Sequence, residues 1–105
     1  ENFEIKKNIA TEDIIKSLEK GKIVIAPVDG KKLKNPNFKS GGPMHHMILI
    51  IGYNYGKKQF IVHDPGTHKG NKYIYDKKTI DQALRDYPTG YHEQVNAISK
   101  NIIII

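Results

Sequence analysis

The sequence predicts an α+β protein in which an antiparallel sheet of about four to six strands is accompanied by a short N-terminal helix and one late helix. Three segments rich in β-branched and aromatic residues follow one another in mid-chain, separated by turn residues. Apolar residues recur at helical spacing on either side of these segments. The 105 residues correspond to one domain, since domains run to roughly 100–200 residues. We therefore treat residues 1–105 as a single domain.

The N-terminal part of the chain predicts a helix followed closely by a strand. Thr11 is a suitable N-cap, two acidic residues follow it at the positive end of the helix dipole, and Gly21 ends the helix. The apolar positions of this helix are Ile14, Ile15 and Leu18. Lys22 to Val28 is the first predicted strand, and Pro27 should lie at a strand end or edge because it has no N–H to donate.

The middle of the chain predicts a long loop and then an antiparallel meander. Residues 29–45 are rich in Lys, Gly and Pro, and we expect them to form an exposed, mobile loop with little to bury. The three strands that follow are His46–Tyr53, Gln59–His63 and Lys72–Tyr75. The unbroken apolar run from Met47 to Ile51 predicts a central strand that is covered on both faces.

The C-terminal part predicts a second helix and one further strand. Asp76 can cap a helix that ends at Pro88-Thr89-Gly90. Its apolar positions are Ile80, Ala83, Leu84 and Tyr87. Tyr91 to Ser99 is predicted as a strand, and Ile102 to Ile105 either pairs in the sheet or forms an exposed, aggregation-prone segment.

Composition excludes several classes of protein. There is no cysteine, so the chain has no disulfide, no thiolate metal site and no cysteine nucleophile of its own. No apolar run approaches the roughly 18 residues of a membrane span, and no signal-peptide pattern opens the chain. The net charge of +6 comes from 16 lysines and one arginine against 11 acids. Nucleic-acid binding is disfavoured, because the lysine pairs are scattered in turns and arginine is the usual reader of bases and phosphates.

His46 and Asp64 are the residues that could carry chemistry. His46 begins the most apolar strand, and Asp64 comes directly after the next strand. In an antiparallel hairpin the start of one strand lies beside the end of the next, so the two side chains should be within hydrogen-bond reach. A carboxylate in that position can hold an imidazole in one tautomer. The alternative is that Asp64 belongs to an ordinary turn and His46 is only a polar strand terminus.

A zinc site is the other chemistry that the histidines suggest. The chain has five histidines, and His63 and His68 flank the turn that contains Asp64. No recognised zinc-ligand spacing is present, so histidines at strand ends and on the surface are the favoured interpretation. We therefore expect no metal and no cofactor.

The sequence resembles a known family in the order of its segments, which are HHMILIIGY, a short turn, QFIVHDPG and a later NKYIY. It is similar to the C-terminal half of papain-like cysteine peptidases of the bacteriocin-processing type, the double-glycine-leader peptidases and their stand-alone bacterial relatives. The resemblance implies half of a papain-like fold, with His46 as general base and acid and Asp64 as the residue that orients it. His45 competes for the base role, but the family's spacing from the histidine to Gly52-Tyr53 selects His46.

The sequence departs from that family in one large respect. The resemblance places the nucleophilic cysteine and an oxyanion-hole glutamine upstream of anything present here, so the domain is expected to be incomplete on its N-terminal side, and the chain alone to be inactive. Its expected function is that of a cysteine-type peptidase-like domain acting on a peptide or protein. Its expected partner is either a missing N-terminal half or a second copy of the chain. The relatives are often exported bacterial proteins.

Two alternatives belong to other classes of protein. One is a non-catalytic peptide-binding module of the same fold, which would bind peptide by strand addition. The other is a basic surface-binding domain with no relation to peptidases. If the peptidase resemblance holds, the loop from Gly30 to His45 borders the cleft and its Gly41-Gly42 pair acts as a hinge for a lid.

Overall fold

A six-stranded antiparallel sheet with two helices forms the protein in the computed structural model, which describes residues 3–67, 69–85 and 100–105. The strands are β1 Glu4–Lys6, β2 Val24–Val28, β3 His46–Asn54, β4 Gln59–His63, β5 Tyr73–Asp76 and β6 Ile102–Ile104, and the helices are α1 Thr11–Glu19 and α2 Lys77–Ala83. The strands lie in the order β1-β6-β2-β3-β4-β5, and every neighbouring pair is antiparallel. The predicted α+β class is confirmed.

Helix α1 is present, but its cap differs from the prediction. Ala10 occupies the N-cap position, and the backbone N–H of Ala10 donates a hydrogen bond to the Asp13 carboxylate at 2.9 Å. Thr11 is the first helical residue and is buried. The prediction that Thr11 caps the helix is therefore wrong, because the acidic residue of the first turn satisfies the free backbone donor.

Strand β2 begins at Val24, two residues later than predicted, and contains Pro27 as its penultimate residue. Strand β6 pairs with β2 only at Val24 and Ile25. The missing N–H of Pro27 therefore costs no bond to β6, which agrees with a position near the end of the strand.

Strands β3, β4 and β5 form the predicted meander, and β3 lies between β2 and β4. Ile48 and Ile50 are buried, whereas Ile51 is 38% exposed. The expectation that both faces of β3 are covered is therefore wrong for Ile51, because successive side chains alternate between faces and the core gathers on one of them.

The segment between β2 and β3 is a packed element and not a loop with little to bury. It contains two short 3₁₀ helices, Gly30–Leu33 and Lys39–Gly41. Leu33 and Phe38 join the hydrophobic core, and Asn35 is 3% exposed. The expectation that this segment has little to bury is wrong, because Leu33, Asn35 and Phe38 are buried. Its mobility and its role as a lid stay predictions.

Helix α2 ends earlier than the apolar spacing predicted. Leu84 has extended backbone angles and forms an isolated bridge with Val28, although its side chain is fully buried. Asp76 occupies the predicted N-cap position, but its carboxylate accepts a hydrogen bond from Gln59 instead of capping the helix. Tyr87, the stop at Pro88-Thr89-Gly90 and the predicted strand from Tyr91 to Ser99 lie outside the described residues.

The chain ends meet in the sheet. Ile102–Ile104 forms β6 between β1 and β2, so the pairing alternative for the terminal isoleucines is the correct one. Strand β1 was not predicted from the sequence, because its three residues carry too short a pattern. None of the helices that the structure describes is long and apolar enough to cross a membrane.

Candidate functional site

The sheet brings His46 and Asp64 together at one end of β3 and β4. His46 is the first residue of β3, and Asp64 follows the last residue of β4. The His46 Nε2 and Asp64 Oδ1 atoms are 2.6 Å apart. The predicted proximity of these side chains is confirmed. In the register, Leu49 pairs with His63, so His46 lies three residues further along, opposite the turn that follows β4.

Asp64 is held as an acceptor by three donors. Besides His46, the backbone N–H of Gly66 donates to Oδ1 at 2.9 Å, and the Tyr75 hydroxyl donates to Oδ2 at 2.9 Å. The Asp64 side chain is fully buried. Burial opposes ionisation, but the hydrogen bonds from His46, Gly66 and Tyr75 outweigh it and hold the pKa of the Asp64 carboxyl below its usual value. Asp64 is therefore a carboxylate at neutral pH.

Tyr75 and Asn35 extend the network behind Asp64. The Asn35 side-chain amide donates to the Tyr75 hydroxyl at 2.9 Å, and its carbonyl oxygen accepts from the Asn37 backbone N–H at 2.8 Å. Burial raises the pKa of Tyr75, and the charge of Asp64 and the hydrogen bond to it raise it further. The Tyr75 hydroxyl therefore stays protonated and donates a hydrogen bond to Asp64. The segment between β2 and β3 thus supports the site through Asn35.

Two further contacts fix the orientation of the His46 ring. The Phe38 ring meets it edge to face, with centroids 5.4 Å apart and an interplanar angle of 83°. Gly66 lies against the Cε1–Nε2 edge of the His46 ring, where an added Cβ would be 2.7 Å from the His46 Cε1 atom. A Cβ does not approach heavy atoms this closely, so only glycine fits at position 66 without displacing the imidazole or Phe38.

The hydrogen bond to Asp64 defines the tautomer of the neutral imidazole. A carboxylate can only accept, so Nε2 carries the proton and Nδ1 has a free lone pair. No other hydrogen bond to His46 occurs within the part of the chain that the structure describes. The His46 side chain is 11% exposed. This arrangement allows Nδ1 to take a proton from a neighbouring group while Asp64 stabilises the resulting imidazolium.

An open cleft adjoins the histidine. Its volume is about 540 Å³, and its lining comes from the segment before β3 and from the turn after β4. The lining residues are Asn37, Phe38, Lys39, Gly42, Pro43, Pro65, Gly66 and Thr67. Phe38 and Gly66 contact both the cleft and the His46 ring, so the cleft borders the imidazole.

The remaining histidines are not part of this network in the described residues. His45 is exposed and directly precedes β3, and His63 is exposed at the end of β4. His68 and His92 lie outside the described residues. Across residues 3–67, 69–85 and 100–105, no group of three potential ligands is placed to hold a metal ion.

No role in the site is predicted from the sequence for Asn35, Phe38, Gly66 or Tyr75. The Asp64-Pro65-Gly66 turn contained one usable signal, because a glycine two residues after a carboxylate can donate its N–H to that carboxylate. The other three residues reach the site through tertiary contacts. Asn35 and Tyr75 are 40 positions apart, a separation at which no local pattern relates two residues.

Comparison with known proteins agrees with this fold. The model of the Peptidase_C39 like family matches residues 3–95, and the chain therefore belongs to this peptidase-related family. A Bacillus anthracis protein, whose crystal structure is described as that of a C39-like peptidase, matches 98% of this chain with a TM-score of 0.61 and 14% sequence identity. The match covers 50% of the length of the Bacillus anthracis protein. No curated protein matches the chain in sequence.

Proposed function

We propose that this chain is the part of a cysteine-type peptidase that carries the histidine and the aspartate. In this proposal His46 acts as general base and then as general acid, and Asp64 orients it. The substrate is a peptide or protein segment that lies in the cleft beside Phe38 and Gly66. The observation that carries the proposal is the hydrogen bond between Nε2 and the buried carboxylate, which leaves Nδ1 free.

The chemistry requires a nucleophile from outside this sequence. The chain contains no cysteine, and a second copy of the chain would contain none either. A homodimer therefore cannot complete the triad, and the thiol has to come from a separate segment that acts as the N-terminal half. With a thiol near Nδ1, the imidazole would take its proton, and the thiolate would attack the scissile carbonyl. The C–N bond would then break as the imidazolium returns the proton to the departing amine, and water would hydrolyse the acyl-enzyme.

A non-catalytic peptide-binding module of the same fold is the second candidate, and the absence of cysteine favours it. Such a module would use the same cleft without forming an acyl-enzyme. The two candidates differ in one measurable property, since the peptidase cleaves the bound peptide and the module releases it intact.

The test measures hydrolysis of fluorescently labelled casein by the full-length product of the gene that encodes this chain. We expect His46→Ala to lower the rate by roughly 10²–10⁴-fold, the usual contribution of general acid–base catalysis. His45→Ala is the matched control, since it removes the neighbouring, exposed histidine. We expect it to leave the rate within about twofold, because a surface substitution usually changes the stability of the fold by no more than about 0.5 kcal/mol.

The same proteins are also examined for peptide binding by amide NMR shifts of the cleft residues. Binding without hydrolysis in the wild-type protein would favour the module over the peptidase. Equal rates in the wild type and His46→Ala would contradict the catalytic role of His46. If the wild-type protein shows no hydrolysis and no binding, both candidates are contradicted.

A further inference from the structure

Arg85 is the single arginine among 17 basic residues, and it is buried. It follows α2 closely and is 6% exposed. Its Nη1 atom donates to the backbone carbonyls of Gln82 at 2.9 Å and Leu84 at 2.6 Å. Its Nε atom is buried and has no hydrogen-bond partner. One edge of the guanidinium therefore retains an unused donor.

The backbone of Arg85 is fixed on both sides. Its N–H donates to the Pro27 carbonyl at 2.9 Å, and its carbonyl accepts from the Asn101 N–H at 3.3 Å. The side chain therefore starts from a rigid position beside the sheet. Within the described residues, no ion pair joins Arg85 to a carboxylate. A buried guanidinium remains charged, and burying a charge without a partner is costly.

The residue lines a pocket of about 410 Å³, and positive charge predominates among the described residues that line it. The lining residues are Lys32, Lys34, Asp81, Gln82, Arg85 and Lys100. The one carboxylate among them, that of Asp81, is 3.1 Å from the Lys100 Nζ atom, which also donates to the Asp81 carbonyl at 2.6 Å. Asp81 is thus already paired, and the charges of Arg85 and of the two exposed lysines are not compensated within the pocket lining.

We propose that this pocket binds an oxyanion, the carboxylate or phosphate group of a ligand, and that the charge of the Arg85 guanidinium in its lining attracts it. Arginine suits this task because its planar fork matches carboxylate and phosphate geometry, which lysine does not. Lys32 and Lys34 add attraction from the rim of the pocket. The site goes beyond the proposed peptidase chemistry, and no step of its argument involves His46.

The test uses the single arginine as its own probe. In a ¹H–¹⁵N spectrum the chain gives one arginine Nε–H signal, and inorganic phosphate and acetate are titrated separately at constant ionic strength. We expect a saturable shift of this signal with one or both anions. A response to phosphate alone assigns a phosphate group, and a response to acetate assigns a carboxylate.

Two substitutions separate binding from folding. Lys32→Gln removes an exposed charge from the pocket rim and should weaken binding roughly two- to fivefold, the range for a single exposed ion pair. Lys31→Gln is the matched control, because Lys31 lies on the same 3₁₀ helix, is exposed and does not line the pocket. It should leave the affinity unchanged. An Nε–H signal that responds to neither anion, or equal affinities in the two variants, would overturn the proposal.

Discussion

The properties of His46 come from its neighbours more than from its place in the strand. Asp64 fixes which ring nitrogen carries the proton, and Phe38 and Gly66 fix the plane of the ring. Tyr75 in turn holds the second oxygen of the carboxylate. In the proposed reaction, an imidazole that is already oriented in this way would lose little freedom when a substrate arrives.

Tyr75→Phe tests the support behind the carboxylate. The substitution leaves the Asn35 amide without its acceptor and removes a donor from Asp64, both in buried positions. We expect a loss of about 1–3 kcal/mol in the free energy of unfolding, the cost of an unsatisfied buried polar group. Tyr73→Phe is the control and should stay within about 0.5 kcal/mol. Urea unfolding measures both, and equal losses would contradict the role given to the Tyr75 hydroxyl.

The lowered pKa of Asp64 predicts a specific acid sensitivity. The folded protein holds this carboxyl ionised at pH values where the unfolded chain, with a pKa of about 3.9, already binds a proton. The stabilisation is therefore present above that value and is lost as the pH falls through the lower pKa of the folded state. In urea unfolding, the stability advantage of the wild type over Asp64→Asn should shrink as the pH falls below about 3.9, the pKa of the unfolded chain. An advantage that stays constant over this range would count against the predicted pKa shift.

At the scale of elements, two connections build the site on the end of the sheet. The turn after β4 supplies Asp64 and Gly66, and the segment between β2 and β3 supplies Asn35 and Phe38. Strands β2, β3 and β4 hold these connections side by side. Because binding and catalytic groups commonly lie on connections that a rigid sheet positions, the location agrees with the proposed function.

Gly66→Ala tests the close approach in the turn. The new methyl group would lie 2.7 Å from the His46 Cε1 atom, so the ring has to move and its bond to Asp64 should be lost or lengthened. The measurement is the His46 side-chain NMR signal, which should lose the signature of a hydrogen-bonded Nε2–H. Gly56→Ala is the control, since its added Cβ meets the Asn54 side chain at an ordinary 3.5 Å. An unchanged His46 signal in Gly66→Ala would contradict this account.

Leu33→Ala tests whether the segment before β3 is anchored. Leu33 is 3% exposed within the core, so its truncation should cost about 2–5 kcal/mol of unfolding free energy. Met44→Ala, in the same segment but 54% exposed, should cost within about 0.5 kcal/mol. Thermal or urea unfolding compares the two variants. A small effect at both positions would support the interpretation of this segment as a mobile lid.

On the scale of the whole molecule, the C-terminal isoleucines complete the sheet between the N-terminal strand and β2. The core includes Ile102 and Ile104 together with Val24 and Ile50. The sheet itself forms from residues near both ends of this sequence.

Ile102→Ala tests this closure. Ile102 is fully buried, so we expect a loss of about 2–5 kcal/mol in unfolding free energy. Ile105→Ala, at a residue that is 46% exposed, is the matched control and should have a much smaller effect. If the two substitutions cost the same in urea unfolding, the buried position of Ile102 between β1 and β2 would be contradicted.

The sequence alone determined the elements whose signals are local. Segments rich in β-branched and aromatic residues, separated by turn residues, predicted β3, β4 and β5. The hairpin rule then placed His46 beside Asp64, because strand register follows from short connections. Tertiary structure decided the rest. Three features depend on contacts between residues that are distant in sequence. They are the burial of Leu33 and Phe38, the hydrogen bond from Asn35 to Tyr75, and the position of β6 between β1 and β2. Such contacts depend on how the whole chain packs and leave no periodic trace in the residues that make them.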